Sequence, residues 1–230
     1  MPAGGVPWVS STTELTTAVT DAFLALECLV ALISLGRHAA RRPRRVHVWR
    51  WAFALCGLAA GLGAVVHGFL LPTGWANLLW HPLTFCMGSA MALLLAGAVG
   101  DWLGFDAACR VVPWGVGAAT LLVAASWLMA GAFVVFAAYA AVLLVVASGI
   151  YLRLAMLSRF PGAGLLATAL GVNLAALAVQ ASDISLDVGV PLDHNGVFHL
   201  LQMLAIALLA AGLAPGMRTG SAPAPTRERG

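Results

Sequence analysis

Seven stretches of about twenty apolar residues, each set off from the next by a short polar or Pro/Gly-marked break, fill almost the whole chain. A helix needs roughly 20 apolar residues to cross the hydrocarbon core of a bilayer, so each stretch is long enough to be a span. In lipid every backbone N–H and C=O must find a partner within the protein, which leaves helices as the form for such stretches. They cover about 15–35, 51–71, 78–99, 111–129, 133–152, 163–182 and 195–214. The expected fold is therefore all-α, an integral membrane bundle of seven transmembrane helices over residues 1–214, followed by a disordered cytoplasmic tail at 215–230 rich in Pro, Ala, Thr and Arg. Hydrophobic residues make up 61% of the chain and charged residues 9%, more apolar surface than a soluble domain of this size could hide.

The arginines orient the bundle. All 12 basic residues are arginine. Six lie in residues 37–50 (RHAARRPRRVHVWR), one is Arg110 in the polar loop 101–110, two are Arg153 and Arg159, and three are Arg218, Arg227 and Arg229 in the tail. The N-terminal segment and the three connections on the other side carry none. Basic residues stay in the cytoplasm during insertion, so the N-terminus is expected outside and the C-terminus inside, in the plasma or cytoplasmic membrane. The same split requires an odd number of spans. The basic balance belongs to these loops and implies membrane lipids as partners, not nucleic acid. No arginine precedes the first apolar run, so that run reads as a permanent helix and not a cleaved signal peptide.

Small residues give the packing expectations. Cys28, Cys56, Cys86 and Cys109 form no CxxC pair and read as apolar packing residues. Gly57 and Gly61 form a GxxxG pair in the second span, expected to let neighbouring helices of the same chain approach closely. The weakest break is Ala130-Gly131, the expected turn between the fourth and fifth spans.

Ionisable groups in a span are costly and usually face an interior site. His67 lies one turn from the outer end of the second span and His81 one turn inside the third, while His194 and His199 bracket the start of the seventh. Asp21, Asp183, Asp193 and Asn195 fall at the same level, and the arginine-rich side receives none of this set. Depth alone is consistent with one polar pocket opening outward. Asn195 and His199 are four apart and share a helix face, which Gln202 extends. His194 would point away in a continuous helix, but turns inward if the helix begins at Asn195 or Gly196 with Asp193 or Asn195 as its cap. Thr17 and Thr20 make a polar stripe with Asp21; Glu27 lies deeper on another face. Neutral imidazoles from several helices suit Zn²⁺, with three protein ligands and an open position for water, and a nearby carboxylate suits a base.

These residues resemble the superfamily of alkaline ceramidases and progestin/adipoQ receptors. Residues 193–201 read DHNGVFHLL, and Phe198-His199-Leu200-Leu201 matches the aromatic-His-Leu-Leu part of that superfamily's last helix, while His67 matches its second-helix histidine. The sequence departs elsewhere: the first last-helix histidine falls on Asn195 with His194 shifted by one, the second-helix serine falls on Gly63, and the acidic pair opening the third helix falls on Trp80 and His81. The resemblance implies seven helices and a zinc ion held by His67 and His199, with His194 or His81 as third ligand and Asp193, Asn195 and Gln202 around them. It implies a membrane-embedded hydrolase of a lipid-like amide or ester, with Asp21 or Asp183 taking the proton and zinc polarising the carbonyl. Two other functions fit the same residues: a non-catalytic metal-binding receptor or sensor, and a b-type haem electron-transfer protein with His67 and His199 as axial ligands. A retinal Schiff base needs a lysine, and the chain has none.

Overall fold

The computed structural model describes residues 7–128 and 132–218. Among these are seven helices long and apolar enough to cross a membrane: α1 Thr12–Gly36, α2 Pro43–Gly68, α3 Thr73–Leu103, α4 Phe105–Leu128, α5 Ala132–Met156, α6 Ala163–Gln180 and α7 His194–Arg218. The expected Ala130-Gly131 turn and residues 219–230 of the expected tail lie outside the described residues.

Most helices overrun their apolar cores, for reasons visible in their ends. Ser11 caps α1 and accepts from the Glu14 amide at 3.4 Å, so the helix starts three residues before the apolar run. Pro43 opens α2, where its missing N–H costs nothing, and half of the arginine segment becomes the first two turns of that helix. The segment 101–110, expected as a polar loop, is a correction: α3 and α4 extend towards each other and meet at Gly104 alone. Gly104 has φ +95°, a conformation that other residues rarely adopt, and so one residue turns the chain. At the far end α7 runs through Pro215 to Arg218, so residues 215–218, expected in the disordered tail, are helical.

Helices α1, α2, α3, α5, α6 and α7 form a ring of neighbours, with α7 returning to α1. α3 is the most deeply buried helix, and α4 packs on the outside of it. Tyr139 of α5 reaches the carbonyls of Gly88 on α3 (3.0 Å) and Gly115 on α4 (3.2 Å), tying the outer helix in. The GxxxG pair divides: Gly57 packs against Cys28, with 3.0 Å between the Cys28 Cβ and the place a Gly57 Cβ would take, whereas Gly61 faces open space. The second close approach on α2 is made by Gly63, described below.

The α6–α7 connection holds a feature absent from the sequence reading. Leu186–Asp187 (β1) and Pro191–Leu192 (β2) pair antiparallel around Gly189, at φ +90°, and the Gly189 amide donates to Asp187 Oδ1 at 3.0 Å. Thr16 of α1 donates to the Pro191 carbonyl (2.8 Å), so this small hairpin lies across the start of α1. At the same end of the bundle Trp8 stacks on Phe69 (4.4 Å), and the Leu70 amide donates to the Pro7 carbonyl.

Candidate functional site

A cavity of about 430 Å³ opens inside the end of the bundle that carries the chain N-terminus. Its head is polar: Asp21, His67, Gln180, Asn195, His199 and Gln202. Below them the wall becomes apolar, with Phe53, Ala60, Leu94 and Leu209 among its residues. From His67 to Phe53, from Trp80 to Leu94 and from Asn195 to Leu209 the lined stretch of helix is the same, about 21 Å at 1.5 Å per residue. The shape is thus a long apolar shaft under a hydrogen-bonding head.

Asp21 and His199 form the centre of the head. His199 Nε2 lies 3.2 Å from Asp21 Oδ1, and both side chains are more than nine-tenths buried. The other ring nitrogen, Nδ1, is 3.0 Å from Thr20 Oγ1, and that hydroxyl is 2.9 Å from the Thr17 carbonyl. A hydroxyl has one proton, so if Thr20 donates to the carbonyl it must accept from Nδ1–H. The network then assigns the Nδ1–H tautomer and leaves the Nε2 lone pair facing a carboxyl oxygen, an arrangement that needs one proton between them. Asp21 and His199 are therefore an acid–base couple on the cavity wall. Thr20 does not line the cavity and orients the ring from behind.

The backbone of α2 makes room for this carboxyl. A Cβ on Gly63 would fall 2.5 Å from Asp21 Oδ2 and 2.9 Å from its Cγ, so only glycine admits the aspartate at this depth.

A second chain of contacts steadies the mouth. Asp193 caps α7: its Oδ1 accepts from the Gly196 amide (3.0 Å) and from the Thr17 hydroxyl (3.2 Å), and its Oδ2 from Asn195 Nδ2 (3.2 Å). Burial alone would raise the Asp193 carboxyl, but these hydrogen bonds and the neighbouring His194 together outweigh it and hold the group below its ordinary range. Asn195 Oδ1 accepts from Gln180 Nε2 at 2.6 Å, while Gln180 Oε1 is buried without a hydrogen-bond partner. Across the mouth His67 Nδ1 is 2.7 Å from Glu14 Oε2, joining α2 to the first turn of α1.

The structure brings five of the expected site residues, Asp21, His67, Asn195, His199 and Gln202, to one cavity. Asp193 stands just behind it. Three others lie elsewhere. His81 stacks on Trp127 of α4, ring centres 4.1 Å apart, and is not on the cavity wall. His194 opens α7, half-buried, and does not line the cavity. Asp183 is exposed in the α6–α7 connection. Gln180 and Asn173, which line the cavity, and Glu14, which meets His67 at its mouth, were passed over by sequence reasoning. Asn173 and Gln180 are seven apart on α6, a same-face spacing that would have paired them.

Among the described residues no group of three or more His, Cys, Asp or Glu side chains stands where it could hold a metal. His67 meets Glu14 through Nδ1 alone, whereas both His199 nitrogens face protein groups.

One family matches residues 16–218 of this chain and is described as a family of unknown function, DUF6962. The chain belongs to DUF6962. No curated protein and no solved structure matches this DUF6962 chain.

Proposed function

We propose that this chain is a multi-pass membrane protein that takes an amphipathic, lipid-like molecule from the bilayer into the cavity. The carrying observation is the cavity itself: a hydrogen-bonding head over an apolar shaft, of a size at which lipid-like and drug-sized ligands are held. The ligand's polar group would meet Asp21, His199, His67, Gln180 and Gln202, and its chain would lie between α2, α3 and α7. The arginine split supports an outward-facing head, with the N-terminus outside and the C-terminus in the cytoplasm. Large apolar side chains on the outer faces, such as Trp114 and Leu121 of α4, 83% and 71% exposed, support lipid as the surrounding solvent.

Native mass spectrometry of protein purified in nanodiscs tests this reading. One tightly held amphiphile per chain is expected, and Ala60→Leu, partway down the shaft, is expected to shift the bound population to shorter chains. Bound molecules indifferent to Ala60→Leu, or none at all, would overturn it.

Hydrolysis of a lipid amide or ester is the second reading, favoured by the Asp21–His199 couple, which is placed to take a proton from water in the cavity. Turnover of such a substrate by purified protein, lost in His199→Ala, would support it. Binding without turnover would leave a receptor or sensor.

A further inference from the structure

The arginines of the α1–α2 corner do not behave alike. Arg45 turns inward onto Asp101, and Arg44 pairs with Asp106 at 2.7 Å. Arg37, Arg41 and Arg50 are exposed and have no acidic partner among the described residues. Arg50 reaches back over the end of α1: its Cζ lies 3.8 Å from the place a Cβ on Gly36 would take. An unpaired guanidinium from the second turn of α2 therefore stands beside Gly36 in the last turn of α1, the residue before Arg37.

What lies beside and below that point is apolar. Trp51, 52% exposed, donates its indole N–H to His47 Nε2 at 3.1 Å, the habit of a tryptophan at a headgroup boundary. Ile33 and Val30 of α1 and Leu58 of α2 are also exposed, deeper along the same two helices. Arginine matches phosphate oxygens with two parallel hydrogen bonds, a geometry that water cannot supply at comparable cost.

We propose that the α1–α2 seam at the arginine-rich end holds one anionic phospholipid, its phosphate on Arg50 where that side chain meets the end of α1, with Arg37 following, and its acyl chains against Ile33 and Leu58. The charge complementarity selects the occupant: three unpaired guanidiniums call for an anion, and the apolar faces beneath call for acyl chains on the same molecule. The site is separate from the cavity and rests only on the reading of these helices as membrane spans.

The general attraction of cationic loops for anionic membranes predicts that loss of any one of these arginines acts alike. A built site predicts that it does not. The protein is reconstituted in nanodiscs of phosphatidylcholine with a minor share of phosphatidylglycerol, and retained lipid is counted by native mass spectrometry after mild detergent exchange. Wild type is expected to retain one phosphatidylglycerol in preference to phosphatidylcholine. Arg50→Gln is expected to lower that preference about fivefold, and Arg44→Gln, which removes an arginine already paired with Asp106, to leave it unchanged. Adding glycerol phosphate, the headgroup without chains, is expected not to displace the lipid. Equal loss in the two variants, no preference in wild type, or displacement by the soluble headgroup would overturn the proposal. Retention of the cavity ligand in Arg50→Gln shows that the fold is intact, and its absence in wild type would count against the proposed function alone.

Discussion

At the arginine-rich end Arg45, Asp101 and Tyr151 close on one another and none of them lines the cavity, whereas at the other end Asp21 and His199 stand on the cavity wall. Both clusters are buried, and both join helices distant in sequence. In the first, Arg45 Nη2 donates to Asp101 Oδ2 at 3.0 Å, Nε sits 2.8 Å from Oδ1 though out of line for a hydrogen bond, and the Tyr151 hydroxyl donates to Oδ2 at 2.8 Å. The guanidinium also covers the Phe160 ring at 4.5 Å. Every charge there has an opposite charge against it, and the cluster pins α2, α3, α5 and the α5–α6 connection together. In the second, a carboxyl oxygen faces an imidazole nitrogen at 3.2 Å, and space for a further molecule adjoins them. A buried ion pair away from any void is suited to holding helices in register; an acid–base couple beside a void is suited to binding.

The strongest way to break this contrast is to remove one partner of the closed cluster. Asp101→Ala leaves Arg45 charged and buried without its counter-ion, which costs about 3–5 kcal/mol in comparable sites. Thermal unfolding in detergent should show the largest loss of any single change named here. Replacing both partners, as Arg45→Met with Asp101→Leu, should recover much of it, because the cost lies in the orphaned charge and not in the missing bond. If Asp101→Ala unfolds no earlier than wild type, the cluster is not the staple described.

Gly63→Ala attacks the other end by steric means. The added methyl meets Asp21 Oδ2 well inside contact distance, so either the carboxyl or the α1–α2 spacing must move. Overpacking of this kind costs about 1–3 kcal/mol. Combining it with Asp21→Ala removes the clash, and the double variant should be more stable than Gly63→Ala alone. Additive losses would mean that the two residues are not in contact.

The fold was largely legible because each helix is an apolar run long enough to cross a membrane, and the breaks carried Pro, Gly or charge. Helix ends were not legible, since an apolar window ends where hydrocarbon ends, whereas Ser11, Pro43 and Gly104 set where the hydrogen bonding ends. For the site, position along the helices gathered residues at one end of the bundle but not on the right faces. His67 and His199 point into the cavity, while His81, at the same level, sits against Trp127. Helical phase relative to the neighbouring helices decides that, and one sequence does not state it. Gly63 carried a signal of another kind: a glycine opposite an intramembrane aspartate. It becomes readable only when the two helices are known to touch.

Asp21→Asn should separate binding from stability. Asparagine keeps the shape and can donate to the Nε2 lone pair of His199, so unfolding should move by less than about 1 kcal/mol. Retention of the amphiphile in nanodiscs should nevertheless fall, since the acid–base couple at the head is gone. A loss of stability as large as that of Asp101→Ala would erase the distinction between the two ends.

The smallest effect belongs to Asp193, and it is visible through pH. Its carboxyl is held below the ordinary value of 3.8 by the Gly196, Asn195 and Thr17 hydrogen bonds and His194, which together overcome its burial. A folded-state value below the unfolded one means that the charged form stabilises the start of α7. That contribution is complete above the unfolded value and is lost as pH falls below 3.8 towards the folded value. Asp193→Asn keeps a side-chain oxygen for the cap but has no charge to lose. Wild type should therefore exceed the variant slightly in stability at pH 6, and the gap should narrow on acidification below 4. A gap that is constant with pH would show that the cap works through hydrogen bonding alone, without the charge.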